Sequence, residues 1–287
     1  MKTLTLSVLL LFLPFSAFSQ AVDDHTVLLL NFDEDSLVSN GGELVEVKDL
    51  SGNGNDALVN TQGGEPAITG APSGPPEVVD GRFGKALYFD GTNYLEVMTS
   101  EILETTDQIT LEAWVNPEVL STGADNMTVL TKDCSYYMVL RENGFLASYH
   151  YGVEPPGYHL SMQPLQDGEW THVAITYDGN NVTLYINAQV DAEISAGGEI
   201  QVSGCVDPQS IGIGCEVRTP ERGEPNQRFF QGAIDEVRIS DIARTPSEIK
   251  ESFTNGLLLA VDPEDKLAGT WGRIRSMGQW GYRSMSQ

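Results

Sequence analysis

The strongest constraint on this chain is an alternation of apolar and polar residues with a period of two, broken into short runs by Gly, Pro, Asn and Asp. Successive side chains of a strand leave opposite sides of the pleat, so such a run buries one face and wets the other. In residues 109 to 116, Ile109, Leu111, Ala113 and Val115 share one face, while Thr110, Glu112, Trp114 and Asn116 share the other. Pro117 ends the run because it lacks the backbone donor that a ladder needs. Residues 171 to 190 carry the pattern twice. Val173, Ile175 and Tyr177 alternate, Asp178-Gly179-Asn180-Asn181 reverses the chain, and Val182, Leu184 and Ile186 alternate back, which predicts a β-hairpin.

Further strands are predicted at residues 27 to 32, 86 to 89, 94 to 98, 128 to 131, 136 to 141, 145 to 149, 209 to 213 and 233 to 239. Many short strands joined by turn signals point to a sandwich or barrel rather than to parallel βαβ units. Residues 61 to 81, with Pro66, Pro72, Pro75 and Pro76 among several glycines, predict a long loop; residues 216 to 228, with Pro220 and Pro225, predict another. One short helix is expected near the C-terminus. Thr245 caps its free donors, Pro246 suits its first position, Glu248 completes a capping box, and Asn255-Gly256 closes it. Within this scheme Val173, Ile175, Leu184, Ile186 and Val237 belong to the core. Trp114, opposite in parity to Ile109 and Leu111, either joins them or faces a concave groove.

The chain opens with one positive charge, Lys2, an apolar run from Leu4 to Phe18, and Ala17-Phe18-Ser19 ahead of Gln20. That is the three-part pattern of a signal peptide over residues 1–19, and the run is too short to span a bilayer. The mature protein is therefore expected to be secreted, extracellular or periplasmic, with no membrane span. Residues 22–256 would form one β domain. Residues 257–287, with Trp271, Trp280 and a cluster of arginines, would form a basic tail, flexible or acting as a docking peptide. Sixteen Lys and Arg against forty-one Asp and Glu give a net charge of −25. Its field repels nucleic acid and anionic lipid and suits divalent cations. Of the three cysteines, Cys205 and Cys215 are closest in sequence, and bridging them costs least loop entropy. They are the predicted disulfide of an oxidising compartment; a bridge from Cys134 to either stays open, since spacing does not determine connectivity.

Six segments occur in a telling order: Leu29-Leu30-Asn31-Phe32-Asp33-Glu34; Asp49-Leu50-Ser51-Gly52-Asn53-Gly54-Asn55-Asp56; Gly84-Lys85-Ala86-Leu87-Tyr88-Phe89-Asp90-Gly91; Ile109-Thr110-Leu111-Glu112-Ala113-Trp114-Val115; Trp170-Thr171-His172-Val173-Ala174-Ile175-Thr176-Tyr177-Asp178-Gly179; and Gly232-Ala233-Ile234-Asp235-Glu236-Val237-Arg238-Ile239. Together they resemble the laminin-G-like jelly-roll domains of exported bacterial proteins, a concanavalin A-like family, over nearly all of residues 27 to 255. The resemblance implies an all-β fold, a two-sheet antiparallel jelly-roll sandwich with one short C-terminal helix. Where that family usually has Asn-Gly after the second strand of the 171-to-190 hairpin, this chain has Asn187-Ala188. Alanine resists the left-handed conformation of a tight turn, so a turn of different shape is expected. Related jelly rolls also commonly hold a structural Ca²⁺ where the first and last strands meet. The resemblance puts Asp235 in the role of the last-strand aspartate, with Asn31, Asp33, Asp90 and Gly91 in segments able to supply further oxygens.

Jelly rolls carry lectins, adhesion modules and hydrolases alike, so function has to be read from a site. A glycoside hydrolase needs two carboxylates on one groove. The nearest pair, Asp235-Glu236, consists of adjacent strand residues, which are expected on opposite faces. His172 has no nucleophile motif beside it and reads as a packing residue. No catalytic residue is therefore assigned, and the chain reads as a non-enzyme. The stretch from Ser148 to His159 is richer, with Tyr149, His150, Tyr151, Tyr158 and His159 beside glycines and prolines. Flat rings with polar edges can stack on sugars. Tyr149, Tyr151, Tyr158 and His159 are accordingly the candidate ligand-binding residues, against the plainer reading that they cover the sandwich edge. The expected function is a secreted, non-catalytic binding or adhesion module for a polysaccharide or other glycan, or for an extracellular protein. The alternative is a divergent glycan-active hydrolase or lyase.

Overall fold

A computed structural model describes residues 22–61, 74–118, 120, 127–202, 210–218 and 226–257. The expected signal peptide, the tail beyond Leu257 and Cys205 lie outside the described residues. The strands are β1 (Thr26–Leu30), β2 (Leu37–Asn40), β3 (Glu43–Val47), β4 (Ala57–Asn60), β5 (Glu77–Asp80), β6 (Lys85–Asp90), β7 (Tyr94–Val97), β8 (Ile109–Pro117), β9 (Met127–Lys132), β10 (Tyr136–Leu140), β11 (Phe145–His150), β12 (His159–Pro164), β13 (Thr171–Tyr177), β14 (Asn181–Ile186), β15 (Gln189–Ser195), β16 (Ile211–Ile213) and β17 (Gln231–Ser240). The helix is α1 (Pro246–Asn255).

All pairings are antiparallel and build two sheets. One runs β15-β14-β13-β8-β17-β6-β5, with β1 also paired to β17; the other runs β12-β11-β10-β9-β16-β7-β4-β3-β2. The core lies between them. Leu111, Val115, Val173, Ile175, Leu184 and Val237 of the first sheet share one buried cluster with Leu95, Val97, Tyr136, Met138, Leu146 and Ile211 of the second. Register explains the sharing: Val173 lies opposite Ile186 and Ala113, and Ile175 opposite Leu184 and Leu111, so alternate residues line up on one face. Ile186 itself is only partly buried.

Part of the other face of the first sheet packs against α1, through Ile249 and Phe253. Thr245 and Glu248 form the reciprocal capping box, with Pro246 at the start and Gly256, at φ 80°, at the close. Trp114 is buried on this outer side. Its ring stacks on Phe253 of the helix (5.3 Å, 17°) and meets Phe83 edge-on at 6.0 Å. His172 packs against both Trp114 and Phe253, and on the face read as polar Thr110, Glu112 and Trp114 are buried while Asn116 is half-buried.

Three expectations need correction. The last part of the Gly/Pro-rich run 61 to 81 is strand β5, an edge strand paired to β6. The Asn187-Ala188 turn keeps the tight two-residue form: both residues have positive φ (51° and 60°), as a type I′ turn requires. The methyl of Ala188 packs with Ala174, Tyr185 and Ile249, which offsets the strain. Cys215 is a free thiol, fully buried just after β16, and so does not bridge to Cys205; Cys134 is instead a disulfide-bonded cysteine.

Candidate functional site

Parity brings the tyrosines together. Tyr136 and Met138 of β10 face the core, so Tyr137 between them faces out, directly opposite Tyr149 of β11. Just past β11, the Tyr151 amide donates to the Ser135 carbonyl at 2.9 Å, which brings its ring to 4.7 Å from that of Tyr149. Tyr158, immediately before β12, meets Tyr149 edge-on at 5.3 Å. These four rings and Glu216, Arg218 and Arg228 line a cavity of ≈ 280 Å³.

The ionic side of the pocket comes from the two ends of the loop predicted at 216 to 228. Paired hydrogen bonds between the backbones of Glu216 and Gln227 hold those ends together. Glu216 is fully buried and contacts the guanidinium groups of both Arg218 and Arg228. The Tyr137 hydroxyl donates to Asp133 and, at 3.4 Å, to Glu216. Burial pushes the Glu216 carboxyl up, against the pull of the two arginines. Burial, joined by the nearby carboxylates, pushes the Tyr137 phenol far up, and burial raises Tyr151 and Tyr158 too. All three are neutral hydroxyls at physiological pH, able to donate as well as accept. Arg141 lies over the Tyr158 ring at 4.7 Å.

Tyr149, Tyr151 and Tyr158 thus meet, but His159 does not join them. It pairs with Ser148 in the register of β11 and β12, on the core side of the sheet. His150 also points inward and stacks on Tyr177 at 5.5 Å. Burial depresses both imidazoles, His150 to about 3, so both are neutral. Tyr137 was missed in the sequence reading, although alternation within β10 would have set it on the face opposite Tyr136 and Met138. Glu216, Arg218 and Arg228 had no periodic signal.

The second candidate site lies on β17. Along one edge of this strand, Gln231 to Ile234 pair with β6 and Val237 to Ser240 with β1. Asp235 and Glu236 fall at the changeover, where the register with β8 also slips and Glu236 takes φ 52°. This bulge overturns the expectation that the two carboxylates face opposite ways. Asp235 accepts from the amides of Arg82 (2.8 Å) and Phe83 (3.0 Å), and Glu236 from that of Leu257, beside the Phe83 ring. Asp33 accepts from the Lys85 amide and the Asn31 side chain, both at 2.9 Å. Only glycine permits these approaches: a Cβ on Gly81 would lie 2.6 Å from Asp235 Oδ2, and one on Gly84 1.9 Å from Asp33 Oδ1.

Among the described residues, Asp235 Oδ1 is buried without a hydrogen-bond partner. Burial, with the neighbouring Glu236 charge, raises Asp235 to about 8; burial and Asp33 raise Glu236 to about 7. Asn31, Asp33 and Asp235 therefore gather around the hairpin from Gly81 to Lys85. Asp90 and Gly91 do not, because they close the turn at the far end of β6, where Asp90 accepts from the amide (2.8 Å) and hydroxyl (2.6 Å) of Thr92. Among the described residues no three His, Cys, Asp or Glu side chains converge as a metal cluster.

Mouse Pappalysin-1 is 27% identical over 216 residues, which is 67% of this chain and 13% of that protein; human Pappalysin-1 is 26% identical over 210 residues, 67% of this chain and 12% of that protein. The chain thus spans only a small part of these relatives' length. Domain 4 of AbnA, a GH43 extracellular arabinanase from Geobacillus stearothermophilus solved in complex with arabinotriose, superposes with TM-score 0.55 at 23% identity, covering 82% of this chain and 98% of that one. The binding domain of Paraclostridial Mosquitocidal Protein 1 superposes with TM-score 0.55 at 16% identity, covering 80% and 52%. These two likenesses concern the fold alone. The Laminin_G_3 family model, described as Concanavalin A-like lectin/glucanases superfamily, matches residues 89–250, more than half of the chain, and the two-sheet antiparallel sandwich agrees with it: this chain belongs to the laminin-G-like branch of that superfamily.

Proposed function

We propose that this protein is a non-catalytic glycan-binding module and that the pocket of Tyr137, Tyr149, Tyr151 and Tyr158 is its binding site. The observation that carries this reading is the convergence of four tyrosines on the face of the sheet turned away from the core, beside Arg228 and Glu216. Ring faces offer apolar area to the C–H side of a sugar, and neutral phenol and guanidinium edges offer hydrogen bonds to its hydroxyls. The arabinotriose complex of AbnA domain 4 supports the reading as an example of a sugar bound by this fold. Hydrolysis is the weaker reading. Asp235 and Glu236 are buried beyond reach of a substrate, and in the pocket Glu216 is fully buried and engaged by two arginines, so it lacks an open face for proton transfer.

The same proposal includes export by way of the leader at residues 1–19 and a structural Ca²⁺ at the β17 bulge. The orphaned Asp235 Oδ1 is what supports the ion: a hard cation there would pair a buried carboxylate oxygen that has no hydrogen-bond partner among the described residues. Asp235, Asn31 and Asp33 would hold it or support its ligands; Asp90 and Gly91, at the far end of β6, would not. Its contribution would be structural, joining β1, β6 and β17.

Retention of purified protein on a panel of insoluble polysaccharides, with reducing ends measured in parallel, tests the proposal. We expect retention without release, lost in Tyr149→Ala and Tyr151→Ala at unchanged melting temperature. Retention indifferent to both substitutions overturns the site. Release of reducing ends that stops in Glu216→Gln overturns the non-catalytic reading.

A further inference from the structure

We infer that the pocket selects a carboxylated sugar at the end of a glycan chain, with the guanidinium of Arg228 receiving the carboxylate. The inference rests on the glycan-binding reading and adds the charge of the ligand to it. The described residues include six arginines: Arg82, Arg141, Arg218, Arg228, Arg238 and Arg244. Arg238 and Arg244 are buried and committed to Glu112 and Asp23. Arg218 and Arg228 line the tyrosine pocket and Arg141 lies on its Tyr158 ring, so in a chain of net charge −25 half of these cations collect at one cavity.

Arg228 has donors to spare. Only its Nη1 is used, on Glu216; its Nε and Nη2 make no hydrogen bond among the described residues, and a quarter of the side chain is exposed. A half-satisfied guanidinium fork on the wall of an aromatic pocket matches the planar, two-oxygen shape of a carboxylate. Arg141 likewise makes no side-chain hydrogen bond among the described residues and adds a second positive edge beside Tyr158. Glu216 holds Arg228 in place from behind while leaving that outer edge open. Two further constraints narrow the ligand. At ≈ 280 Å³ the cavity is at the small end of ligand pockets and admits a terminal sugar rather than a long chain segment. The overall negative charge repels extended polyanions, so a single terminal carboxylate is favoured over a polyuronate.

Titration calorimetry with sialyllactose and with a glucuronic-acid-terminated trisaccharide, each beside its carboxyl methyl ester, tests the inference and separates the two sources of carboxylate. We expect at least one acid to bind about tenfold or more tighter than its ester, a preference that falls below about twofold in Arg228→Gln. Arg228→Lys, which keeps the charge but loses the fork, should retain only part of the preference. Acids and esters that bind equally, and lose binding together in Tyr151→Ala, overturn this inference and leave the glycan-binding reading standing. Failure of both acids to bind when a neutral glycan does bind has the same meaning. An acid preference unchanged in Arg228→Gln overturns the role of that residue.

Discussion

Replacing Arg238 by methionine should leave Glu112 buried without its counter-charge. Arg238 donates to Glu112 Oε2 through Nε at 2.9 Å and through Nη2, which also donates to Ser252 Oγ of α1 at 2.7 Å. Burial alone would push the Glu112 carboxyl up, but the Arg238 guanidinium, aided by His172 with Nε2 at 3.5 Å, overrides it and holds the group at about 2. Removing one partner of a buried pair of this kind costs about 3–5 kcal/mol. At roughly 2–4 °C per kcal/mol for a domain of this size, the melting temperature should fall by about 6–20 °C. The double variant Glu112→Leu/Arg238→Leu should recover most of that loss, because two apolar side chains need no counter-charge. The pH dependence has a definite sign. The folded-state carboxyl lies below the ordinary 4.5 of a free one, so its stabilisation is complete above that pH and disappears as pH falls towards 2. Melting curves of wild type and Arg238→Met should therefore converge between pH 7 and pH 3. A loss under about 2 °C at pH 7, or a gap that widens on acidification, would refute the reasoning.

Ca²⁺ added to EDTA-treated protein at a hundredfold excess over its dissociation constant should stabilise it by about 2.7 kcal/mol, a shift of roughly 5–10 °C. Asp235→Asn should abolish the shift, and a melting curve indifferent to both EDTA and millimolar Ca²⁺ contradicts the site. At the β14–β15 turn, Ala188→Gly relieves a left-handed alanine worth about 1–2 kcal/mol and loses one buried methyl worth about 0.8 kcal/mol. A small net gain, about 0.5 kcal/mol in urea unfolding, is expected; a loss beyond about 1 kcal/mol would show that the methyl contact dominates. Cys215 should resist a thiol reagent in the native protein and react once the oxidised chain is unfolded. Finding a Cys205–Cys215 bridge by non-reducing peptide mapping would contradict its free state.

The antiparallel sandwich was legible wherever burial on one face imposed a clean period of two, as at Ile109 to Val115 and Val173 to Ile186. Strands β2 to β5, β12 and most of β15 escaped because they lie near or at the sheet margin and bury few side chains, chiefly Leu44, Val47 and Ala57 in the first four, so little of their sequence is patterned by the core. Trp114 and Glu112 followed strand parity as expected, but their burial depends on a helix well over a hundred residues later, which no local period reveals. The tyrosine cluster was visible as composition, and parity within β10 extends it to Tyr137. His159 failed by one residue: a single step in the strand moves a ring from the pocket to the core. The pairing of Asp235 with Glu236 failed for the opposite reason, since a bulge suspends alternation where it occurs.

The most direct test of the account is a crystal structure of the protein soaked with whichever oligosaccharide the retention panel selects. The account predicts a sugar ring lying against Tyr149 and Tyr151, with an oxygen within hydrogen-bond distance of Arg228. An oligosaccharide bound at full occupancy on any other surface, with the tyrosine pocket empty, would contradict it.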